Sequence, residues 1–200
     1  MGAKTAVVAF CDTDPAFVLR AGDAAEPAAA RELVERIFPG RVGGSVGPGY
    51  LADAVLPGEY VYAGAFSGLE IVCGGPVVQD LPADFGAPPW KTDRKGVYLH
   101  TMQSTVDTAM FGVWRDGELL RAVGVSPEHR PWLVGEPLPF EAPWWAGEYR
   151  DASVAGLPFH PMAFGEAALC ALFGFVTAGA PGAAPVLDPF QVTLEGFRVD

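Results

Sequence analysis

The chain has 200 residues, of which half are hydrophobic and 18% charged, with 24 Asp and Glu against 13 Lys and Arg for a formal charge of −11. Such a composition excludes a disordered chain, and the scarcity of basic groups excludes nucleic acid or an anionic membrane as the main partner. A single domain over residues 1–200 is expected, long enough to bury about 70% of its extended-chain surface. The 25 glycines and 19 prolines point to an ordered fold with long loops.

Met1-Gly2-Ala3-Lys4-Thr5 precedes a short apolar run closed by Asp12 and Asp14. The run is too short for a signal-peptide core, and Ala6 stands where myristoylation requires Ser or Thr. Cys11, Cys73 and Cys170 are widely spaced among apolar neighbours, the pattern of buried reduced thiols in a cytoplasmic protein.

In chain order, Lys4–Cys11 reads as a strand buried on both faces. Asp14-Pro15 opens a short helix through Arg20, the acid capping and the proline at the first helical position. Residues 28–38 form an amphipathic helix with Leu33, Val34, Ile37 and Phe38 on one face, Glu32 four before Arg36, and Pro39-Gly40 as its stop. Residues 40–49 read as a glycine-rich connecting loop lacking the phosphate-binding spacings. Two short strands, 59–66 and 69–73, flank a Ser67-Gly68 turn. Strand 97–103 follows, and strands 109–114 and 119–126 flank Asp116-Gly117, a strong hairpin signal. Residues 162–178 hold one charge, Glu166, and read as a helix buried in the core rather than a membrane span. In the last strand Phe190, Val192 and Leu194 occupy even positions and Phe197 and Val199 odd ones, so a bulge at Gly196 is expected. The sum is an α+β fold with a largely antiparallel sheet of about seven strands, two main helices, one short helix and a long Pro/Trp-rich loop.

Three places could carry chemistry. Asp12-Thr13-Asp14 ends the first strand and could hold a divalent cation through carboxylate oxygens. It resembles the Asp-x-Asp-x-Thr/Val opening of haloacid-dehalogenase-like phosphatases. It departs from that pattern at Ala16, with Pro15 intervening, and a run of hairpins follows instead of alternating strands and helices. Asp14 as a helix cap is the simpler role. The second place is residues 127–161, which hold Trp132, Trp144, Trp145 and Tyr149 among prolines, with Arg130 nearby. Rigid prolines displaying rings suit a binding surface, and the same rings could instead cover the sheet. The third is acid–base: His160 begins the apolar helix and could be oriented by Glu141 or Glu148, while Glu166 needs a partner, solvent or a proton. His160 and Glu166, six apart, do not share a helix face. Ser104, near His100 and Asp107, lacks a nucleophile elbow.

Several strings belong together: Gln103-Ser104-Thr105-Val106-Asp107, Trp114-Arg115-Asp116-Gly117, Gly135-Glu136-Pro137-Leu138-Pro139-Phe140-Glu141, Trp145-Ala146-Gly147-Glu148, Leu157-Pro158-Phe159-His160-Pro161 and Gly165-Glu166-Ala167-Ala168-Leu169. With them, and the opening Met1–Thr5, the chain resembles an uncharacterised actinobacterial family, a domain of unknown function. The resemblance spans nearly the whole chain and implies no activity, cofactor or catalytic residue. The reading is therefore a cytoplasmic acidic binding module for a protein partner or small ligand, or one that self-associates, using Arg130, Trp132, Trp144, Trp145 and Tyr149. The alternative is a small metal-dependent hydrolase or phosphatase using Asp12 and Asp14, or an acid–base site of Glu141, His160 and Glu166. No cofactor and no metal ligand set is expected.

Overall fold

A computed structural model of the chain describes residues 4–21, 26–56, 58–79, 90–152, 154 and 156–200. Strand β1 (Lys4–Cys11) is the centre of the molecule, and Ala6 to Cys11 are fully buried. An apolar run without alternation is what a strand covered on both faces requires. In chain order follow α1 (Pro15–Ala21), α2 (Pro27–Ile37), β2 (Val42–Tyr50), α3 (Leu51–Ala54), β3 (Tyr60–Phe66), β4 (Leu69–Gly74), α4 (Gly75–Gln79), β5 (Gly96–Gln103), β6 (Thr108–Arg115), β7 (Glu118–Val125), β8 (Trp132–Val134), α5 (Ala142–Trp145), α6 (Pro161–Phe173) and β9 (Thr193–Val199).

Among the described residues these make one antiparallel sheet of nine strands, ordered β2-β9-β3-β4-β1-β5-β6-β7-β8, with six helices. The α+β expectation holds broadly, and the strand count of about seven is corrected to nine. The hairpins form where the turn chemistry demands. Asp116 and Gly117 both take left-handed φ, 51° and 81°, the pair of positive angles that a two-residue turn matching the sheet twist needs.

The two faces bury separate cores. Ala30, Leu33, Val34 and Ile37 of α2 pack on Val8, Phe10, Val61, Val72 and Phe197. On the other face, α1, α3 and α6 cover Val7, Ala9, Ile71, Phe111, Val123 and Leu194. Expected pairing on α2 is shifted: Arg31 meets Glu35 at 3.1 Å, and Arg36 reaches across to Glu70.

Three further expectations are corrected. Residues 42–50 are strand β2, not a loop, because β9 supplies a ladder to pair with and because the missing side chains at Gly49 and Gly196 leave room for the Tyr62 ring. A Cβ at either glycine would come within 2.7 Å of that ring. There is no phase switch in β9. Val192 and Leu194 face the α6 side while Phe197 and Val199 face the α2 side, an ordinary alternation on a sheet buried on both faces, and the register irregularities lie on β2 opposite. Helix α6 stops at Phe173, where Gly174 takes φ 82° as its C-cap, giving 13 residues. No helix among the described residues is long and apolar enough to cross a membrane.

Candidate functional site

Helix α6 lies close on the sheet at Gly165, which has no side chain to hold it off. A Cβ on Gly165 would sit 2.9 Å from Ala109 Cβ and 3.1 Å from Met102 Sδ. Pro161 at the first turn and His160 before it, whose Nδ1 accepts from Met162 N–H at 3.2 Å, set where the helix begins. His160 is thus a capping residue, and the structure does not bring Glu141 or Glu166 to it.

Residues 138–149, expected within a long loop, fold instead into a 3-10 turn (Pro139–Glu141) and α5 around one carboxylate. Glu141 is fully buried and accepts from Arg121 Nε at 2.9 Å and Nη2 at 2.5 Å, from Leu138 N–H at 2.8 Å and from Trp145 Nε1 at 2.9 Å. Arg121 Nη1 donates to Val134 and Gly135 carbonyls at 3.2 and 2.7 Å, so the ion pair is closed on the protein side and ties β7 and β8 to the 3-10 turn. Buried pairs of this kind stand only when their remaining hydrogen-bonding positions are filled.

The fixed turn delivers a cluster of rings to the sheet. Trp144 packs on Tyr149 at 4.6 Å, on Phe159 at 5.7 Å and on Phe164 at 5.8 Å between centroids, and Trp145 packs on Phe159 at 4.9 Å. Trp144 is buried and Trp145 and Tyr149 half-buried, so these rings cover the sheet and do not form an open surface. Trp132 and Arg130 are exposed at and just before the edge strand β8.

Between this cluster and α6 lies an apolar cavity of about 260 Å³. One wall is Phe140, Pro143, Trp144 and Tyr149, the opposite wall is Ala167, Cys170 and Ala171 of α6, and residues 182–184 close the side. Ala171, Gly182 and Ala184 are exposed, so the cavity opens to solvent past them. Among the described residues no carboxylate, lysine or arginine lines it. Burial raises the Cys170 thiol above its ordinary range, with a backbone hydrogen bond from Ala184 acting the other way, so the sulfur presents itself as a neutral thiol.

The segment after α6 folds back onto Glu166. That buried carboxylate accepts from the N–H groups of Thr177 (2.8 Å), Ala178 (3.1 Å) and Gly179 (3.4 Å), and from the Thr177 hydroxyl. The partner that an acid in an apolar helix requires is therefore a loop backbone.

At the end of β1, Asp12 accepts from Lys95 N–H at 3.0 Å and Arg94 Nη1 at 2.9 Å, contacts that hold its carboxyl below the usual range. Asp14 Oδ1 accepts from Ala16 N–H at 2.8 Å, the capping role. Among the described residues no group of three or more His, Cys, Asp or Glu is placed to share a metal ion. His100 is fully buried, with Nδ1 3.1 Å from Thr5 Oγ1 and Nε2 2.8 Å from the Gly165 carbonyl, and desolvation pulls its pKa down to about 4. Ser104 is not its partner.

Arg121 escaped the sequence reading. A lone arginine flanked by Leu120 and Ala122 in a strand with a buried partner sheet is the signal that an acid must come to it.

The sequence model of a family of unknown function, DUF6928, matches residues 5–197. The chain belongs to this family. No curated protein and no solved structure matches it. The family carries no described activity, so the chemistry of the chain rests on the geometry above.

Proposed function

We propose that this member of the family is a binding module whose ligand is a neutral one- or two-ring aromatic compound held between α6 and the 138–149 turn. The observation that carries this reading is the cavity itself: about 260 Å³, ringed by Phe140, Trp144 and Tyr149, floored by alanines, and without an ionised group among the described residues. An apolar cavity of roughly 150 Å³ is enough for benzene, so a bicyclic ring system fits here. Small concave sites with aromatic walls and few polar groups are the usual form of a ligand pocket.

The candidate acids support binding over catalysis. Asp12, Asp14, Glu141 and Glu166 each have assigned hydrogen-bond donors within the fold, and none lines the cavity.

Indole serves as the probe. At about −0.5 kcal/mol per heavy atom, its roughly nine atoms give a Kd on the order of 0.5 mM. Titration followed by amide NMR shifts moves the signals of Cys170, Ala171 and Ala184, and alkylation of Cys170 slows as indole saturates. Ala171→Phe, at an exposed position on the lip, abolishes both effects without lowering Tm. Absence of shifts at several millimolar indole, or binding that survives Ala171→Phe, refutes the proposal.

A second reading is a protein partner or self-association at the β8 edge. Trp132 and Leu133 are 39% and 48% exposed there, beside the exposed Arg130. A concentration-dependent dimer in sedimentation that vanishes in Trp132→Ser/Leu133→Ser would favour it, and a monomer at all concentrations would not.

A further inference from the structure

Among the described residues five large hydrophobic ones are exposed away from β8 and the hairpin ends, and two of them touch. Tyr50, at the end of edge strand β2, and Phe190, in the 3-10 turn before β9, are 51% and 56% exposed, yet their rings meet edge to face at 6.4 Å. The contact is built in from both sides. Leu51 N–H donates to the Val192 carbonyl at 2.8 Å, joining α3 to the β9 approach, and Asp188 Oδ1 accepts from Phe190 N–H at 3.0 Å to shape the turn that carries the ring. Two rings fixed on the backbone and left in water form apolar surface that the fold itself does not use. Leu56, 44% exposed just beyond α3, lies on the same stretch of chain as Tyr50.

Charge decides what such a surface suits. The sequence has no lysine or arginine between Arg41 and Lys91, and none between Arg150 and Arg198. Both chain segments that supply the rings therefore carry negative charge alone, and Asp53 and Asp188, three positions after Tyr50 and two before Phe190, are exposed. Ring faces attract cations through their quadrupoles, more strongly as water is excluded, and carboxylates at the rim add long-range attraction. A second copy of this chain, at −11, would bring like charge to like.

We infer that Tyr50, Phe190, Asp53 and Asp188 form a docking surface for a cationic, arginine-bearing segment of a partner protein. The surface is independent of the aromatic-ligand cavity, so either can fail without the other.

The test is fluorescence anisotropy at low salt with a labelled peptide of alternating Arg and Ala, alongside a Glu-for-Arg control. Wild type binds the cationic peptide and not the control. Tyr50→Ser/Phe190→Ser leaves net charge untouched and weakens binding at least fivefold, as does Asp53→Asn/Asp188→Asn, in which asparagine can still cap the turn. Both ring positions are exposed, so the variants keep the wild-type Tm, which is measured in parallel. No binding by wild type overturns the inference. So does equal binding by the ring-less variant, which would mean attraction by net charge alone, or a concentration-dependent dimer that depends on the two rings.

Discussion

Replacing Glu141 with alanine tests whether the 138–145 turn is held as described. The carboxylate accepts four hydrogen bonds, two of them from Arg121, and the side chains of the pair are 0% and 2% exposed. Removal leaves a guanidinium in the core with only the Val134 and Gly135 carbonyls, and orphans the N–H groups of Leu138 and Trp145. Breaking one side of a buried pair costs about 3–5 kcal/mol, a large part of the ~5–15 kcal/mol that separates folded from unfolded chains. At about 2–4 °C per kcal/mol for a protein of this size, the fall in Tm is roughly 6–20 °C. Urea unfolding followed by tryptophan fluorescence measures the free-energy loss, and a thermal melt the fall in Tm. Arg121→Met/Glu141→Leu removes both charges together and is expected to lose less than either single replacement. A loss below about 1 kcal/mol for Glu141→Ala, or a double variant as weak as the sum of the singles, would refute the account of a closed, buried pair.

Gly165→Ala tests how closely α6 approaches the sheet. Alanine is the better helix former by about 1 kcal/mol, but its methyl meets Ala109 and Met102 at an overpacking cost of about 1–3 kcal/mol, so a net loss of up to about 2 kcal/mol is expected in chemical denaturation. His100 predicts an acid limb of the stability curve. The folded imidazole stays neutral down to about pH 4, whereas the unfolded one takes up a proton below about 6.5, so the unfolded state binds more protons between those values. Stability from this residue is complete above pH 6.5 and falls as pH drops, by about 2 kcal/mol at pH 5. In His100→Gln that part of the slope disappears, and an unchanged slope would place the titration elsewhere.

Local chemistry made much of the fold legible. The Asp116-Gly117 turn, the unbroken apolar run of β1 and the i, i+3, i+4, i+7 spacing in α2 each specify their element without help from distant residues. What escaped depends on distant partners. β2 has neither alternation nor β-branched enrichment, and it exists because β9 offers a free edge and Tyr62 packs where Gly49 and Gly196 lack side chains. The parity break in β9 came from assuming that one face is buried, when both are. At the candidate site, three residues of the ring-rich segment, Phe140, Trp144 and Tyr149, line the cavity. That Trp144 turns inward depends on Arg121, 23 positions earlier, drawing Glu141 into the core, and no local pattern records that pairing.

The two buried carboxylates do the same physical work on opposite sides of the cavity. Glu141 gathers N–H donors around the turn that carries Phe140 and Trp144, and Glu166 gathers three successive backbone N–H groups from residues 177–179, just ahead of the wall at 182–184. Neither lines the cavity, yet each ties down a segment next to one of its walls. Glu166→Gln keeps the shape but turns one acceptor into a donor facing N–H groups, which costs about 1–3 kcal/mol locally. The amides of residues 177–184 should then exchange with solvent faster, and indole affinity should fall severalfold although no contact to the ligand has changed. If exchange quickens and affinity does not move, the loop is not what sets the width. If neither changes, Glu166 is not holding the loop.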